Sequence, residues 1–234
     1  MKKNSLVCVI AHPDDEAFGP SGTLAKLSQH YDVHIICVTD GQSDPRFHTN
    51  PGESLAKLRA AELRQSSTLL GAKEVHFLHF QDGTLNNNQY HEIAAKLSAL
   101  CDAITPAVFM TNDLKGNSGH LDHVAVAMVT SFVYEKRKGM QGILYNCVPR
   151  AVSDVMREYF VFFPHGYETS DVDLVVDVSD VLEKKLAAAR CHQTQAADVE
   201  RVTKRWLAQE KQEELFLVES RNEEFVTEIR KILR

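Results

Sequence analysis

The sequence predicts an α/β protein with a Rossmann-like, mostly parallel sheet flanked by helices. Short apolar runs alternate with segments of helical periodicity along the first 150 residues. Several runs are apolar at almost every position, which is typical of parallel strands covered on both faces. Alternating strands and helices favour a sheet wound by right-handed crossovers. The length of 234 residues suits one domain.

Five apolar runs are the predicted strands of the parallel sheet. They cover residues 6–11, 33–39, 75–80, 107–111 and 143–148. Between them, apolar residues recur at the spacing of one helix face. One such helix carries Ile93, Leu97, Leu100 and Cys101, a second carries Val124, Met128 and Phe132, and a third carries Leu55 and Leu58 and ends near Gly71. Residues 44–52, with two prolines, are predicted to form a loop near the site.

The C-terminal third differs in composition, because residues 167–234 contain neither proline nor glycine. Residues 171–178 alternate well enough to form an edge or added strand. The remainder is interpreted as helical, and the interspersed charges of residues 200–234 predict a solvated helix face. We therefore expect one domain over residues 1–234, with a core of about 5–195 and a helical extension of about 196–234.

Composition excludes several classes of protein. The formal charge of −6 and the lack of a basic run argue against nucleic-acid binding. No apolar run approaches the ~20 residues that span a membrane, and the first is too short for a secretory signal. The five cysteines are odd in number and form no CxxC pair, which predicts reduced thiols in the cytoplasm. Self-association through the charged C-terminal helices is left open.

The first predicted strand runs into a cluster of one imidazole and three carboxylates, His12-Pro13-Asp14-Asp15-Glu16. Ligands bind at the carboxyl ends of strands in open α/β sheets. The spacing of His12 and Asp15 allows both to face one ion from a turn, and Zn²⁺ accepts both donor types. The alternative from the residues alone is a solvated acidic turn, or Asp14 capping the next helix.

A second cluster, Gly119-His120-Leu121-Asp122-His123, follows the fourth predicted strand and precedes a helix. His120 and His123 are again three positions apart, with Asp122 between them. If the two clusters converge, they offer up to three ligands and leave one position for water, as in catalytic zinc sites. Taken singly, each histidine could equally be a surface or core residue.

Both clusters resemble motifs of the LmbE-like, or PIG-L-like, deacetylases. The similar segments are Ala11–Glu16 followed by Gly22-Thr23-Leu24-Ala25, then Thr39-Asp40-Gly41, Arg59 to Glu62, Asp82-Gly83, His120–Val124, and Lys185 through His192 to Gln195. The resemblance spans roughly residues 5–195 in the order of the family. It implies a zinc-dependent hydrolase that removes the acetyl group from an N-acetylglucosamine-type sugar or glycoside, a small-molecule substrate.

The resemblance also implies a role for each matching residue. His12, Asp15 and His123 would bind one Zn²⁺ per chain, another divalent metal being left open. Asp14 would be the general base for the attacking water. His120 would polarise the acetyl carbonyl or protonate the leaving amine, with Asp122 orienting it. Arg59 and Asp82 would contact the substrate.

The sequence departs from the family pattern at two positions. Leu121 replaces the usual proline between the histidines, and Ser118 stands where some members have a tyrosine. One rival hypothesis is a nucleotide-binding dehydrogenase. It is disfavoured because the turn after the first strand lacks GxGxxG and the carboxylates of that turn would repel a pyrophosphate. A second rival is a non-catalytic sugar- or metal-binding protein of the same fold.

Overall fold

The computed structural model describes residues 3–43, 53–159 and 161–234, so the predicted loop at 44–52 lies outside the described residues. Within that part of the chain, a seven-stranded sheet has the order β3-β2-β1-β4-β5-β7-β6. The strands are β1 (Ser5–Ile10), β2 (Asp32–Thr39), β3 (Glu74–Phe80), β4 (Pro106–Asn112), β5 (Gly142–Cys147), β6 (Leu174–Asp177) and β7 (Glu213–Ser220). The first five pair in parallel, which confirms the predicted fold class.

The parallel strands are buried on both faces, and this explains their unbroken apolar sequences. In β1, Leu6, Cys8 and Ile10 face one hydrophobic core, whereas Val7 and Val9 face another. Successive side chains of a strand point to opposite faces, so a strand between two cores must be apolar at every position.

Helices cover the two faces of the sheet. Their bounds are α1 (Asp15–Phe18), α2 (Ser21–Leu27), α3 (Glu53–Leu69), α4 (Tyr90–Ile104), α5 (Leu121–Lys136), α6 (Arg150–Val155), α7 (Leu182–Arg190), α8 (Ala196–Leu207) and α9 (Glu223–Ile232). Helices α2, α3, α7 and α9 contribute to the first core, and α4 and α5 to the second. Gly71, two residues after α3, has a φ of +84°, in agreement with the predicted helix end.

The C-terminal segment is helical at α8 and α9, but the prediction of helix throughout was wrong at β7. This strand lies inside the sheet, antiparallel to both β5 and β6. Leu215 and Phe216 are both fully buried there. Adjacent apolar residues of this kind fit a strand covered on both faces, and the charges around them masked that pattern.

The strand order reverses between the parallel neighbours β1 and β4, because the chain continues from β1 to β2 on one side and from β4 to β5 on the other. A crevice forms at such a reversal, outside the carboxyl ends of the strands. Both predicted clusters follow these two strands, so the topology brings them together. Among the helices of the described residues, none is both long and apolar enough to cross a membrane.

Candidate active site

The loop after β1 holds its carboxylates in fixed directions. The Oδ2 atom of Asp15 accepts hydrogen bonds from the amides of Ala11 and His12, at 3.0 and 2.9 Å. Its Oδ1 atom lies 3.3 Å from Nε2 of His123. Burial alone would raise the pKa of Asp15, but the charge and hydrogen bond of His123 lower it well below its usual value.

The loop before α5 presents the second cluster. Gly116 adopts a φ of +70°, and a Cβ there would meet the side chain and amide of Val124 at under 3.0 Å, so the tight turn requires glycine. The Gly116 carbonyl lies 3.2 Å from Nδ1 of His123. Since a carbonyl can only accept, Nδ1 carries a hydrogen, and Nε2 is the nitrogen that offers a lone pair when the ring is neutral.

The two histidines converge on one point. Nδ1 of His12 lies 3.1 Å from Nε2 of His123 and 4.0 Å from Oδ2 of Asp15. The opposite nitrogen of His12, Nε2, faces Oδ1 of Asp82 at 3.0 Å and Oδ2 of Asp122 at 3.2 Å. Carboxylates hold one ring hydrogen on Nε2, so Nδ1 faces the convergence point and offers its lone pair there whenever it does not carry a proton.

This donor set fits a zinc ion. Two imidazole lone pairs and a carboxylate face one another, and each imidazole donates its other N–H to a carboxylate or a carbonyl, as metal-bound histidines do. Burial disfavours charge on His12, yet its hydrogen bonds to Asp122 and Asp82 and the charge of Asp15 raise its pKa to about 10. The surroundings therefore favour a cation at this point.

His120 lies beside the pair in a different role. Nitrogens of His12, His120 and His123 all lie within 4.8 Å of one another. However, Nδ1 of His120 accepts a hydrogen bond from the Asp122 amide at 3.1 Å, where His120 is the N-cap of α5. The ring hydrogen is then on Nε2, which in this tautomer can donate a hydrogen bond but has no lone pair for a metal.

Asp14 is held in an unusual backbone conformation next to these groups. Its φ of 154° with ψ of −19° is a combination that residues other than glycine rarely adopt. Its carboxylate accepts a hydrogen bond of 2.9 Å from Nη2 of Arg59, so the side chain is turned to Arg59 instead of capping α1. Burial raises the pKa of Asp14 to about 6, with Arg59 opposing and Asp15 adding to the rise.

Arg59 lies beneath the loop, and only 3% of it is exposed. Besides Asp14, its guanidinium donates to the carbonyls of Pro13 and Gly41, both at 3.0 Å. These contacts make Arg59 a support for the catalytic loop. Its predicted contact with substrate stays a prediction.

Two aspartates have partners that the sequence analysis did not predict. Asp82 binds His12, and this hydrogen bond overcomes the effect of burial and lowers the pKa of Asp82 to about 2. The carboxylate of Asp122 accepts from the amides of Gly83 and Leu85, at 2.7 and 3.0 Å, in addition to binding His12. Asp122 orients His120 through its backbone amide, whereas its side chain orients His12.

A cavity of about 550 Å³ extends from the two histidine loops toward the C-terminal part of the chain. Sequence reasoning missed an amide cluster on its wall, in which Nδ2 of Asn117 donates to Oδ1 of Asn112 at 2.9 Å and approaches Oδ1 of Asn146 at 3.4 Å. Asn112 and Asn146 are at or near the ends of β4 and β5. The rule that located His12, a polar residue where an apolar run ends, could have found both.

Comparison with known proteins identifies the family. The sequence profile of GlcNAc-PI de-N-acetylases, PIG-L, matches residues 7–134. The chain is also 31% identical over 226 residues to the 1D-myo-inositol 2-acetamido-2-deoxy-alpha-D-glucopyranoside deacetylase of Mycobacterium sp. strain KMS, covering 81% of this chain and 73% of the relative. This chain belongs to the PIG-L family.

Other known proteins are similar to this chain in sequence or in fold. The diacetylchitobiose deacetylase of Thermococcus kodakarensis is 29% identical over 199 residues, which cover 81% of this chain and 69% of that protein. The solved structure of N,N'-diacetylchitobiose deacetylase from Pyrococcus horikoshii superposes with a TM-score of 0.69 at 20% identity, covering 93% of this chain and 84% of the other. The resemblance inferred from the two motifs is thus confirmed.

The PIG-L match ends at residue 134, before the chain forms the far wall of the cavity. Lys185 on α7, Trp206 on α8 and Glu214 on β7 line that wall. Lys185 forms a buried ion pair with Glu214 and lies 4.6 Å from the centre of the Trp206 ring. Glu214 also accepts from the amides of Gly22 and Thr23, at 2.9 and 2.8 Å, so it joins β7 to α2.

Proposed function

We propose that this PIG-L protein is a zinc-dependent hydrolase that removes the acetyl group from an N-acetylglucosamine-type substrate. One observation carries the proposal: ring nitrogens of His12 and His123 meet beside Asp15, and Asp14 lines the same cavity. Bound there, Zn²⁺ would lower the pKa of a water to near ~7 and polarise the acetyl carbonyl.

The chain's own residues supply the proton transfers. Asp14 accepts a proton from the attacking water, a step that a carboxylate beside the metal-binding groups can perform. Oxygen attacks the acetyl carbon, and Nε2–H of His120 donates a hydrogen bond to the carbonyl oxygen as negative charge develops there. When the C–N bond breaks, Asp14 returns the proton to the nitrogen, which leaves as an amine while acetate remains.

Arg59 and Asp122 support these steps without a change in their own covalent state. Arg59 fixes the Asp14 carboxylate and the carbonyl of the preceding residue. Asp122 connects the two loops, because its side chain binds His12 while its amide binds His120. Hydrogen bonds of this kind hold reacting groups within the narrow geometry that catalysis requires.

The test is metal analysis of the purified protein combined with an assay for free amine. The substrates are N,N'-diacetylchitobiose, the methyl glycoside of N-acetylglucosamine and N-acetylglucosaminyl inositol. We expect one zinc per chain, amine release with equimolar acetate, and loss of activity on chelation that zinc restores. Bound zinc without amine release from any substrate would instead favour a non-catalytic sugar- or metal-binding protein.

We also propose that the protein works in the cytoplasm. Cys8, Cys37, Cys101, Cys147 and Cys191 are all free and buried. Burial raises the pKa of Cys8 above its usual value and that of Cys101 to about 12, which leaves these thiols unreactive. Free thiols are typical of proteins in reducing compartments. Measurement of the thiol content of protein taken directly from cells tests this location.

A further inference from the structure

Two arginines on α8 line the far part of the cavity, and they differ in their partners. Arg201 binds the carboxylate of Asp198 and lies 5.0 Å from the centre of the Tyr159 ring. The guanidinium of Arg205, one helical turn later, has no hydrogen-bond or ion-pair partner among residues 3–43, 53–159 and 161–234. The charge of Arg201 is therefore balanced by Asp198, whereas the described part of the chain offers Arg205 no such counter-charge.

Arg205 is half-buried, and a charge that is partly withdrawn from water costs free energy when no counter-charge lies nearby. Burial and the neighbouring Arg201 lower the pKa of Arg205 to about 10, which leaves it charged at neutral pH. A charge withdrawn from water is destabilising unless an opposite charge and hydrogen bonds compensate it. An anionic ligand group in the cavity would provide both.

Arg205 lines the same cavity as the histidine loops, so a substrate bound at the histidines can bring an anionic group to it. The same cavity is lined by His12 and Asp14 at one end and by Arg205 and Trp206 at the other. Its volume of about 550 Å³ is within the usual range for small-molecule pockets. A ligand whose acetamide lies at the histidines can thus extend its aglycone toward α8, between the apolar side chains of Met156 and Trp206.

We propose that Arg205 binds an anionic group, a carboxylate or a phosphate, on the aglycone of the N-acetylglucosaminide, an assignment that rests on the proposed deacetylase function. The planar guanidinium donates two parallel hydrogen bonds to either group, which a single ammonium cannot do. The substrate class is therefore an acidic glycoside of N-acetylglucosamine.

The test compares acidic and neutral substrates of the zinc-loaded enzyme. The probes are N-acetylglucosaminyl L-malate for a carboxylate, N-acetylglucosamine 1-phosphate for a phosphate, and the methyl glycoside as the neutral reference. We expect the wild type to show at least about tenfold higher kcat/KM for one acidic probe. Arg205→Gln should lower that value by about 10- to 100-fold, the usual loss for a hydrogen bond to a charged group, and change the neutral reference less than twofold.

Lys204→Gln is the matched control, because Lys204 is the exposed neighbour of Arg205 on α8 and the substitution removes the same charge. It should leave all three kcat/KM values within twofold of wild type. The proposal is overturned if the methyl glycoside is the best substrate, or if Arg205→Gln affects acidic and neutral substrates equally.

A binding measurement tests the anion site at Arg205 independently of the proposed deacetylase activity. Calorimetry on metal-free protein compares glucosaminyl L-malate, glucosamine 1-phosphate and methyl glucosaminide, none of which requires turnover. Tighter binding of an acidic probe, lost in Arg205→Gln and kept in Lys204→Gln, supports the anion site even if no amine is ever released. Equal binding of acidic and neutral probes contradicts it even in an active deacetylase.

Discussion

The two ends of the cavity are built by different means. At the catalytic end, short loops after β1 and before α5 carry the two histidines and their neighbouring aspartates, and contacts within one loop, such as Asp15 with the His12 amide, fix part of the geometry. At the α8 end, the wall depends on one buried ion pair between residues far apart in sequence, Lys185 and Glu214. Loops at strand ends therefore present the reactive side chains, whereas the shape of the ligand site depends on long-range packing of the C-terminal segment.

The largest effect is expected at the catalytic end of the cavity, when Asp14 is replaced. Asp14→Asn should lower kcat by ~10²–10⁴-fold, the usual contribution of a general base. The amide oxygen can still accept from Arg59, so fold and zinc content should match wild type. Rates of amine release and metal analysis of the same sample measure both effects.

His12→Ala is the contrasting variant, because it removes a proposed ligand rather than the base. It should lose zinc itself. The assignment of roles fails if Asp14→Asn loses zinc and regains activity when zinc is added back, or if His12→Ala retains its full metal content.

At the other end of the cavity, Glu214→Gln should lower the free energy of unfolding. The substitution leaves Lys185 charged and uncompensated where only 2% of the residue is exposed, a change that typically costs about 3–5 kcal/mol of unfolding free energy. Urea denaturation of the variant and the wild type measures this loss of unfolding free energy. For a chain of this size, Tm should fall by roughly 2–4 °C per kcal/mol.

Glu213→Gln is the matched control for Glu214→Gln. Glu213 pairs with Lys211, which is largely exposed, and exposed pairs contribute ~0–1 kcal/mol. Equal unfolding midpoints for the two variants would show that the buried pair does not hold β7 in place.

Asp122→Asn should produce a smaller effect, on metal affinity. Its side chain holds His12 from behind, and removal of such supporting groups typically weakens metal binding by about 10–100-fold. Competition with a chromogenic chelator measures the change, with Asp102→Asn as a surface control, since Asp102 is exposed and pairs with Arg137. Unchanged zinc affinity would show that the Asp122 side chain does not support metal binding by His12.

The smallest expected effect is at Leu121, the first residue of α5. Proline is favoured at this position of a helix, and His120 before it already has the extended φ of −63° and ψ of 125° that proline requires. Leu121→Pro should therefore raise stability by about 0.4–1 kcal/mol and leave activity unchanged. A loss of stability would show that the loop depends on the amide or side chain of Leu121.

The sequence predicted the parts of the molecule that depend on local pattern. The parallel strands were recognised because residues such as Val7 and Cys8 are both buried, and the site loops because polar residues follow those strands directly. The groups of His12, Asp15 and His123 converge as expected, although their role as zinc ligands stays a prediction.

Pairings between distant residues could not be predicted from such patterns. Nothing near Asp122 in sequence indicates that its side chain binds His12, since the two residues are brought together only by the strand order. Likewise, Glu214 looks like a solvated charge beside Glu213, and only the packing of α2 and α7 against β7 makes it a buried one.

The late position of β7 in the chain has a consequence for folding. β7 pairs with β5, which precedes it by some seventy residues, and it is the described pairing partner of β6. Such long-range pairing is slow because a long loop must close before any contact forms. A nascent chain that ended at residue 195 would expose the open edge of β5, a template for aggregation. The sheet is therefore completed only after β7 has been synthesised, and the cavity acquires its far wall after the loops of its catalytic end.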